Sequence, residues 1–317
     1  MEPAKRAVVK DIKLEAGMSL DSLVREMHES GGFTAKKLAV GVNILEAMQK
    51  DDACKKILSF PSSIMATGTR GVVKELVKNK MVDVIITTCG TVAHDLCQLW
   101  KHYYHGDFLL DDAELHRHGV NRLGNVLIPN EAYGELLEGK LQPMFAEMWG
   151  TGKTKWSTRE LMREVGLRLR GESNCEESVL YWAAKNEIPV YIPGPTDGAF
   201  GCQLWMFYQE HRDFVIDLLA DEQELSDLMW TAQSLGALMI GGGISKHHTI
   251  WWSQFRDGLD YAVYLTSAPE WDGSLSGAPV REAVSWGKVK EDAKYVTIEG
   301  DATINLPLMI GALLERL

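Results

Sequence analysis

Apolar positions in the first fifty residues repeat at helical spacing. Leu20, Leu23, Val24 and Met27 follow i, i+3, i+4 and i+7, Ser19 stands where an N-cap would, and Gly31-Gly32 close the run. A second helix is expected from residue 34 to about residue 50. Beyond it the pattern changes to short, near-continuous apolar runs at 57–60, 82–87, 190–192, 238–240, 261–265 and 295–298. Runs of this kind suit strands covered on both faces of a parallel sheet. Helical patterns lie between them at 71–78, 92–100, 177–185 and 222–235, and 306–317 reads as an amphipathic closing helix. Strands alternating with helices predict a doubly wound, mostly parallel α/β fold. The expected organisation is one domain over 1–317, with a helical segment at 1–50 and an α/β core at 51–317. The polar stretch 150–155 reads as a loop.

The residues after each predicted strand are small or hydroxylated. Phe60 leads to Pro61-Ser62-Ser63, Thr87 to Thr88-Cys89-Gly90-Thr91, and Ile192 to Pro193-Gly194-Pro195-Thr196-Asp197-Gly198. Ile240 leads to Gly241-Gly242-Gly243, Leu265 to Thr266-Ser267-Ala268, and Ile298 to Glu299-Gly300-Asp301-Ala302. Such residues let a ligand approach the backbone and the helix N-termini, and in open α/β sheets ligands bind beyond the carboxyl ends of the strands. Six loops of this type favour a nucleotide-sized ligand over turn chemistry alone. The G-x-G-x-x-G fingerprint is absent, so a dinucleotide would need a variant, Rossmann-like arrangement. Asp197 and Asp301 are the acids best placed for ribose hydroxyls; helix N-capping is the competing role for both.

Composition narrows the partners. A formal charge of −11 disfavours nucleic acid and mildly suits a cationic substrate or a basic partner protein. No apolar run approaches the ~18 residues of a membrane span. The start, Met1-Glu2-Pro3-Ala4-Lys5-Arg6, lacks the apolar stretch of a signal peptide, so a cytoplasmic protein is expected. The five cysteines lack the paired short spacings of a disulfide framework or a zinc knuckle. His94, His102, His105, His116 and His118 have no matching carboxylate or cysteine pattern, so no metal is expected. Trp205 and the pair Trp251-Trp252 read as core or interface residues.

The densest chemical signal is the run from Glu270 to Lys288. A loop rich in Gly and Ser, Gly273-Ser274-Leu275-Ser276-Gly277, precedes Glu282-Ala283-Val284-Ser285-Trp286-Gly287-Lys288. Most lysines are solvated surface charges. Lys288 differs in following Trp286 and Gly287 in an otherwise small and apolar segment. Desolvation by an indole would populate the neutral amine, the form that attacks carbonyls and imines.

Taken together, Asp260-Tyr261-Ala262-Val263-Tyr264, Asp272-Gly273-Ser274-x-Ser276-Gly277-Ala278 and Glu282 through Lys288 resemble deoxyhypusine synthases, in the manner of the archaeal branch. The resemblance extends through Gly241 to His248, Pro195-Thr196-Asp197-Gly198, Asn121 to Asn125 and Val82 to Thr88. It implies NAD-dependent oxidation of spermidine and capture of the aminobutyl group as an imine on Lys288. Transfer to a lysine of the hypusine-containing translation initiation factor would follow. It also implies that Ser62, Ser63, Thr88, Cys89, Gly90, Asp197, Gly242, Ser267, Ala268, Asp301 and Ala302 bind NAD. His247 is implied as the proton acceptor beside the oxidised carbon, and Glu282 and Trp286 as polyamine contacts beside Gly273 and Ser274. Homotetramers with sites at a dimer interface are implied as well.

The chain departs from eukaryotic members, which carry acids at the positions of Ala93, His94, Cys202 and Leu275. His94 and Asp95 are then the residues implied to read the polyamine in the archaeal manner, with Glu270 a further nearby acid. Those departures leave the amine open. A homospermidine synthase of the same fold would use putrescine as acceptor. A non-catalytic subunit of a paralogous synthase would be expected to lose Lys288, His247 or Glu282, and an ordinary dehydrogenase would accumulate NADH.

Overall fold

The computed structural model describes residues 6–317; most of the polar start, residues 1–5, lies outside the described residues. All six predicted strands form, and they form one sheet. In chain order they are Cys54–Phe60, Val84–Thr87, Val190–Tyr191, Ser234–Ile240, Leu259–Thr266 and Val289–Glu299. Every pairing between them is parallel. Across the sheet the order is third, second, first, fourth, fifth, sixth. This is the doubly wound 3-2-1-4-5-6 arrangement, whose connections reverse direction between the first and fourth strands.

The sequence explains which strands are central. The second strand, Val-Ile-Ile-Thr, is buried throughout, and Leu235 to Ile240 are buried along the fourth. The sixth strand lies at an edge and carries Lys290, Glu291, Asp292 and Lys294, charges that discourage pairing with another sheet. At the other edge the third strand is only two residues long, which has the same effect. Two apolar cores cover the two faces. One contains Leu58, Phe60, Ile85, Leu238 and Val263; the other contains Ile57, Ile86, Met239, Ala262 and Tyr264. The alternation follows from the pleat, since successive side chains point to opposite faces.

The first two helices run over Leu20–Ser30 and Phe33–Lys50. Ser19 caps the first, its hydroxyl accepting from the Ser22 N–H, and Gly31 ends it in the left-handed conformation. The second packs against the fifth and sixth strands and the closing helix.

Two expectations need correction. The helix placed at 222–235 is Leu218–Thr231, and Leu235 belongs to the fourth strand. Leu225, Leu228, Met229, Ala232 and Leu235 keep helical spacing across that junction, so the boundary was not legible. The closing helix is Ala302–Leu314 and is apolar nearly all round, with Leu306, Met309, Ile310, Ala312 and Leu313 buried, not amphipathic. Two small sheets escaped the hydrophobic pattern. Tyr104–His105, Val126–Pro129 and Val120–Leu123 form an antiparallel ribbon with 126–129 in the middle. Lys155–Trp156 pairs with Val215–Ile216.

Candidate functional site

The reversal point opens into a cleft of about 380 Å³. Pro61 and Ser63 follow the first strand, Gly241 follows the fourth, Ser267 the fifth, and Asp301 and Ala302 the sixth, and all of them line it. Phe108 and residues 123–126 of the antiparallel ribbon supply an outer wall. Asp301 both caps a helix and lines the cleft. Its carboxylate accepts from the Thr303 N–H at 2.7 Å, capping the closing helix, while the residue lines the cleft. Ala268 lies beside Ser267, its N–H donating to the Thr266 hydroxyl.

A second group adjoins this cleft at the ends of the first three strands. A Cβ on Gly90 would lie 2.8 Å from the Ser62 side chain, so only glycine allows that approach. Thr88 precedes the helix Cys89–Trp100, and its hydroxyl is buried without a partner. Cys89 is buried and its thiol pKa is pushed up to about 11, chiefly by burial, with the charge of Asp197 adding to it. Its sulfur accepts from the Gly201 N–H. Asp197 is exposed, and the N-cap of the following helix is Gly198.

Lys288 lies elsewhere, in a pocket of about 300 Å³ on the Met239 face of the sheet. Two segments build it. The helix Gly243–Ser253 contributes Lys246, His247, Ile250 and Trp251 from one face; the segment 275–288 contributes Leu275, Glu282, Trp286 and Lys288 among others. The Trp-Gly-Lys spacing has a local cause. The short 3₁₀ helix Val280–Trp286 ends at Gly287, whose φ of 66° turns the chain. That turn leaves Trp286 exposed and swings Lys288 inward, to 8% exposure. The lysine backbone is then pinned: its N–H donates to Ala283 O, and its carbonyl accepts from the Ser253 hydroxyl and the Leu259 N–H.

Inside the pocket Lys288 Nζ is 5.3 Å from the Trp286 ring centre and 5.4 Å from that of Trp251. The His247 ring stacks on Trp251 at 5.7 Å. Burial and the nearby Lys288 charge lower the His247 pKa below 6.5, so its ring is neutral at neutral pH and able to accept a proton. Glu282 is exposed and is the only carboxylate among the lining residues.

Two lining residues were missed from sequence. Lys246 is 2% exposed, and its ammonium donates to Leu275 O at 2.8 Å and Ala278 O at 2.6 Å. It also sits 3.7 Å over the Tyr264 ring. Burial lowers its pKa to about 8, against the opposing pull of Glu282. Its bonds tie the loop 275–278 to the helix. Trp251 was read as core or interface but stands in the pocket wall; its signal was its position one turn after His247 on the same helix face.

Other predicted residues are not brought here. Gly273 and Ser274 are exposed on the outer side of the loop, where Ser274 donates twice to Asp272. Asp95 is fully buried and lines neither cleft. Its carboxylate accepts from Arg70, the Ser178 hydroxyl and the N–H groups of Val179 and Leu180, holding the start of the helix Val179–Lys185. His94 is also buried, hydrogen-bonded to the Tyr103 hydroxyl at 3.0 Å and packed on Tyr133. Burial lowers its pKa to about 4. Glu270 pairs with Arg281 on the surface.

Gly242 stands between the clefts. A Cβ there would meet Ser276 Cα at 2.4 Å, so the loop lies directly on this glycine. The Ser276 carbonyl is anchored from below by the Tyr264 and Thr266 hydroxyls. The cleft and the lysine pocket consequently share no lining residue within one chain.

Comparison with known proteins adds a family. The family model described as deoxyhypusine synthase matches residues 22–313. A relative from Picrophilus torridus, named "Probable deoxyhypusine synthase", is 53% identical over 97% of this chain and 97% of its own. One of the same name from Thermoplasma acidophilum is 51% identical over 96% of this chain and 97% of its own. The crystal structure of a protein from Entamoeba histolytica, described as "a putative deoxyhypusine synthase", superposes with a TM-score of 0.68 at 20% identity, covering 97% of each chain, a likeness of fold.

Proposed function

Since the chain belongs to the deoxyhypusine synthase family, we propose that it transfers the aminobutyl group of spermidine, through an imine on Lys288, to a lysine of the hypusine-containing translation initiation factor. The observation that carries this reading is the convergence of Lys288, His247, Glu282 and Trp286 on one pocket. Net transfer without net oxidation needs a hydride carrier that stays bound, and NAD supplies it. The cleft suits NAD on its own features: it lies where the strand connections reverse, the small residues Ser63, Gly241, Ser267 and Ala302 line it, and Asp301 stands at a helix N-terminus. Ser63, Ser267, Asp301 and Ala302, which line the cleft, would hold it, with Ser62, Thr88, Cys89, Gly90, Asp197 and Ala268 on the adjoining loops.

The chain's own residues then divide the work. Glu282 pairs with an ammonium of the polyamine, and Trp286 offers an indole face to its cationic chain. Neutral His247 takes the proton from the secondary ammonium, which leaves an amine able to lose hydride. The amine of Lys288 adds to the resulting C=N carbon. Its proton moves to the departing nitrogen, the old C–N bond breaks, and 1,3-diaminopropane leaves while the aminobutyl imine stays on Lys288. The acceptor lysine repeats the exchange, and the returned hydride gives deoxyhypusine.

Separation of the lysine pocket from the cleft within one chain favours a site shared between two copies, in a homotetramer built from such dimers. No helix among the described residues is long and apolar enough to cross a membrane, in keeping with a cytoplasmic acceptor protein. The test is borohydride reduction of enzyme incubated with NAD and spermidine, read by mass spectrometry. An aminobutyl adduct on Lys288, absent from Lys288→Ala, is expected. An adduct confined to another residue, or NADH accumulating in the presence of the factor, would refute the transfer. Labelled aminobutyl passing only to putrescine would make the enzyme a homospermidine synthase.

A further inference from the structure

Trp251 has no part in the chemistry above, yet it forms a wall of the reacting pocket. A large ring left 43% exposed loses part of the gain from burial, so its position needs a cause. The helix Gly243–Ser253 sets it. The neighbouring Trp252 turns the other way, donating its indole N–H to Glu222 at 2.6 Å, and His248 lies 3.4 Å from the same carboxylate. These contacts fix the rotation of the helix and aim Trp251 and His247 at Lys288. Lys288 Nζ then lies at nearly equal distance from two indoles on different segments, 5.4 Å from Trp251 and 5.3 Å from Trp286.

We propose that Trp251 is a specificity-determining residue which, with Trp286, forms a two-indole cage stabilising the cationic iminium on Lys288. The inference rests on the proposed function, since the iminium is the product of that transfer. The exchange conserves charge and electrons. The substrate iminium R′–NH⁺=CH–R and the Lys288 amine give Lys288–NH⁺=CH–R and the free amine R′–NH₂. A compact ammonium is strongly hydrated, so part of what it gains from a ring face is offset by lost hydration. A planar iminium is weakly hydrated, and its spread charge suits the negative face of an indole. A carboxylate in Trp251's place would attract the lysine ammonium and the iminium alike, and so would not favour the iminium. An indole attracts the cation without competing for the proton. The substrate class that follows is an alkyl polyamine whose reacting centre carries delocalised positive charge and whose distal ammonium is left to Glu282.

The test compares full-length wild type with Trp251→Phe and Trp251→Leu, using NAD and saturating spermidine. Three quantities are read: NADH formed without acceptor, the fraction of Lys288 trapped by borohydride, and the thermal midpoint. A cage predicts that Leu lowers the ratio of trapped Lys288 to NADH formed about tenfold and Phe only about threefold, with the midpoint within a few degrees of wild type. Trapping equal to wild type in both variants overturns the proposal. So does a loss of trapping that merely follows a loss of NADH formation or of the folded state. Wild type lacking any Lys288 adduct would instead remove the transfer reading, and the cage with it.

Discussion

His94 illustrates how burial alone can decide what a titratable residue does. It sits among Tyr103 and Tyr133, rings that supply one hydrogen bond and no countercharge. The folded ring therefore stays neutral down to about pH 4, whereas in the unfolded chain it takes a proton below 6.5. Between these values the unfolded state binds more protons. The stabilisation is fully present above pH 6.5 and is lost as the pH falls toward 4, by up to about 3 kcal/mol for a shift of this size. His248, lowered to about 4 by burial and then by His247, adds a slope of the same sign. Urea unfolding of His94→Phe at pH 7 and pH 4.5 should show a smaller loss between the two than wild type. Equal losses would mean that His94 is not kept neutral by the fold.

At the scale of elements, the helices Thr158–Arg168 and Val179–Lys185 cross where a side chain cannot fit. A Cβ on Gly166 would lie 2.4 Å from the Leu180 carbonyl oxygen and 2.8 Å from Ala184 Cβ. Alanine would add about 1 kcal/mol of helix propensity. A backbone carbonyl cannot swing aside as a side chain can, and overpacking of this kind costs about 1–3 kcal/mol. Gly166→Ala should lower the unfolding midpoint measurably while the folded fraction still forms the Lys288 adduct, because neither helix lines either cleft. A raised midpoint would show that the helices can separate freely. Asp95 belongs to the same neighbourhood and acts at the same scale. Read in sequence it is an acid beside a candidate site; in the fold it is the cap that ties the Val179–Lys185 helix to the helix Cys89–Trp100.

For the whole molecule the issue is how the lysine pocket meets the cofactor cleft. If they meet across two copies, each defective in a different half, mixing should rebuild some sites. Lys288→Ala removes the nucleophile, and Ser267→Trp fills the cleft. Each variant alone is expected to be inactive, and dissociated and reassembled mixtures should recover about a quarter of wild-type transfer, the share of intact sites in random dimers. No recovery in a mixture shown to exchange subunits would place both halves within one chain.

The chain's own pattern determined the six core strands and most of the helices, because continuous apolar runs and 3.6-residue stripes are local signals of burial. It also determined the family, through the run ending in Lys288 and the loops after each strand. Side-chain destinations were decided only by packing. Whether Asp95 faces substrate or caps a helix depends on Ser178 and Arg70, 83 and 25 residues away. Lys246 and Trp251 entered the pocket through a helix rotation fixed from outside it by Glu222. The small sheets were invisible for the same reason, being short pairings with too few apolar residues to alternate. Local periodicity reports that a residue is buried, and only the assembled neighbours decide against what.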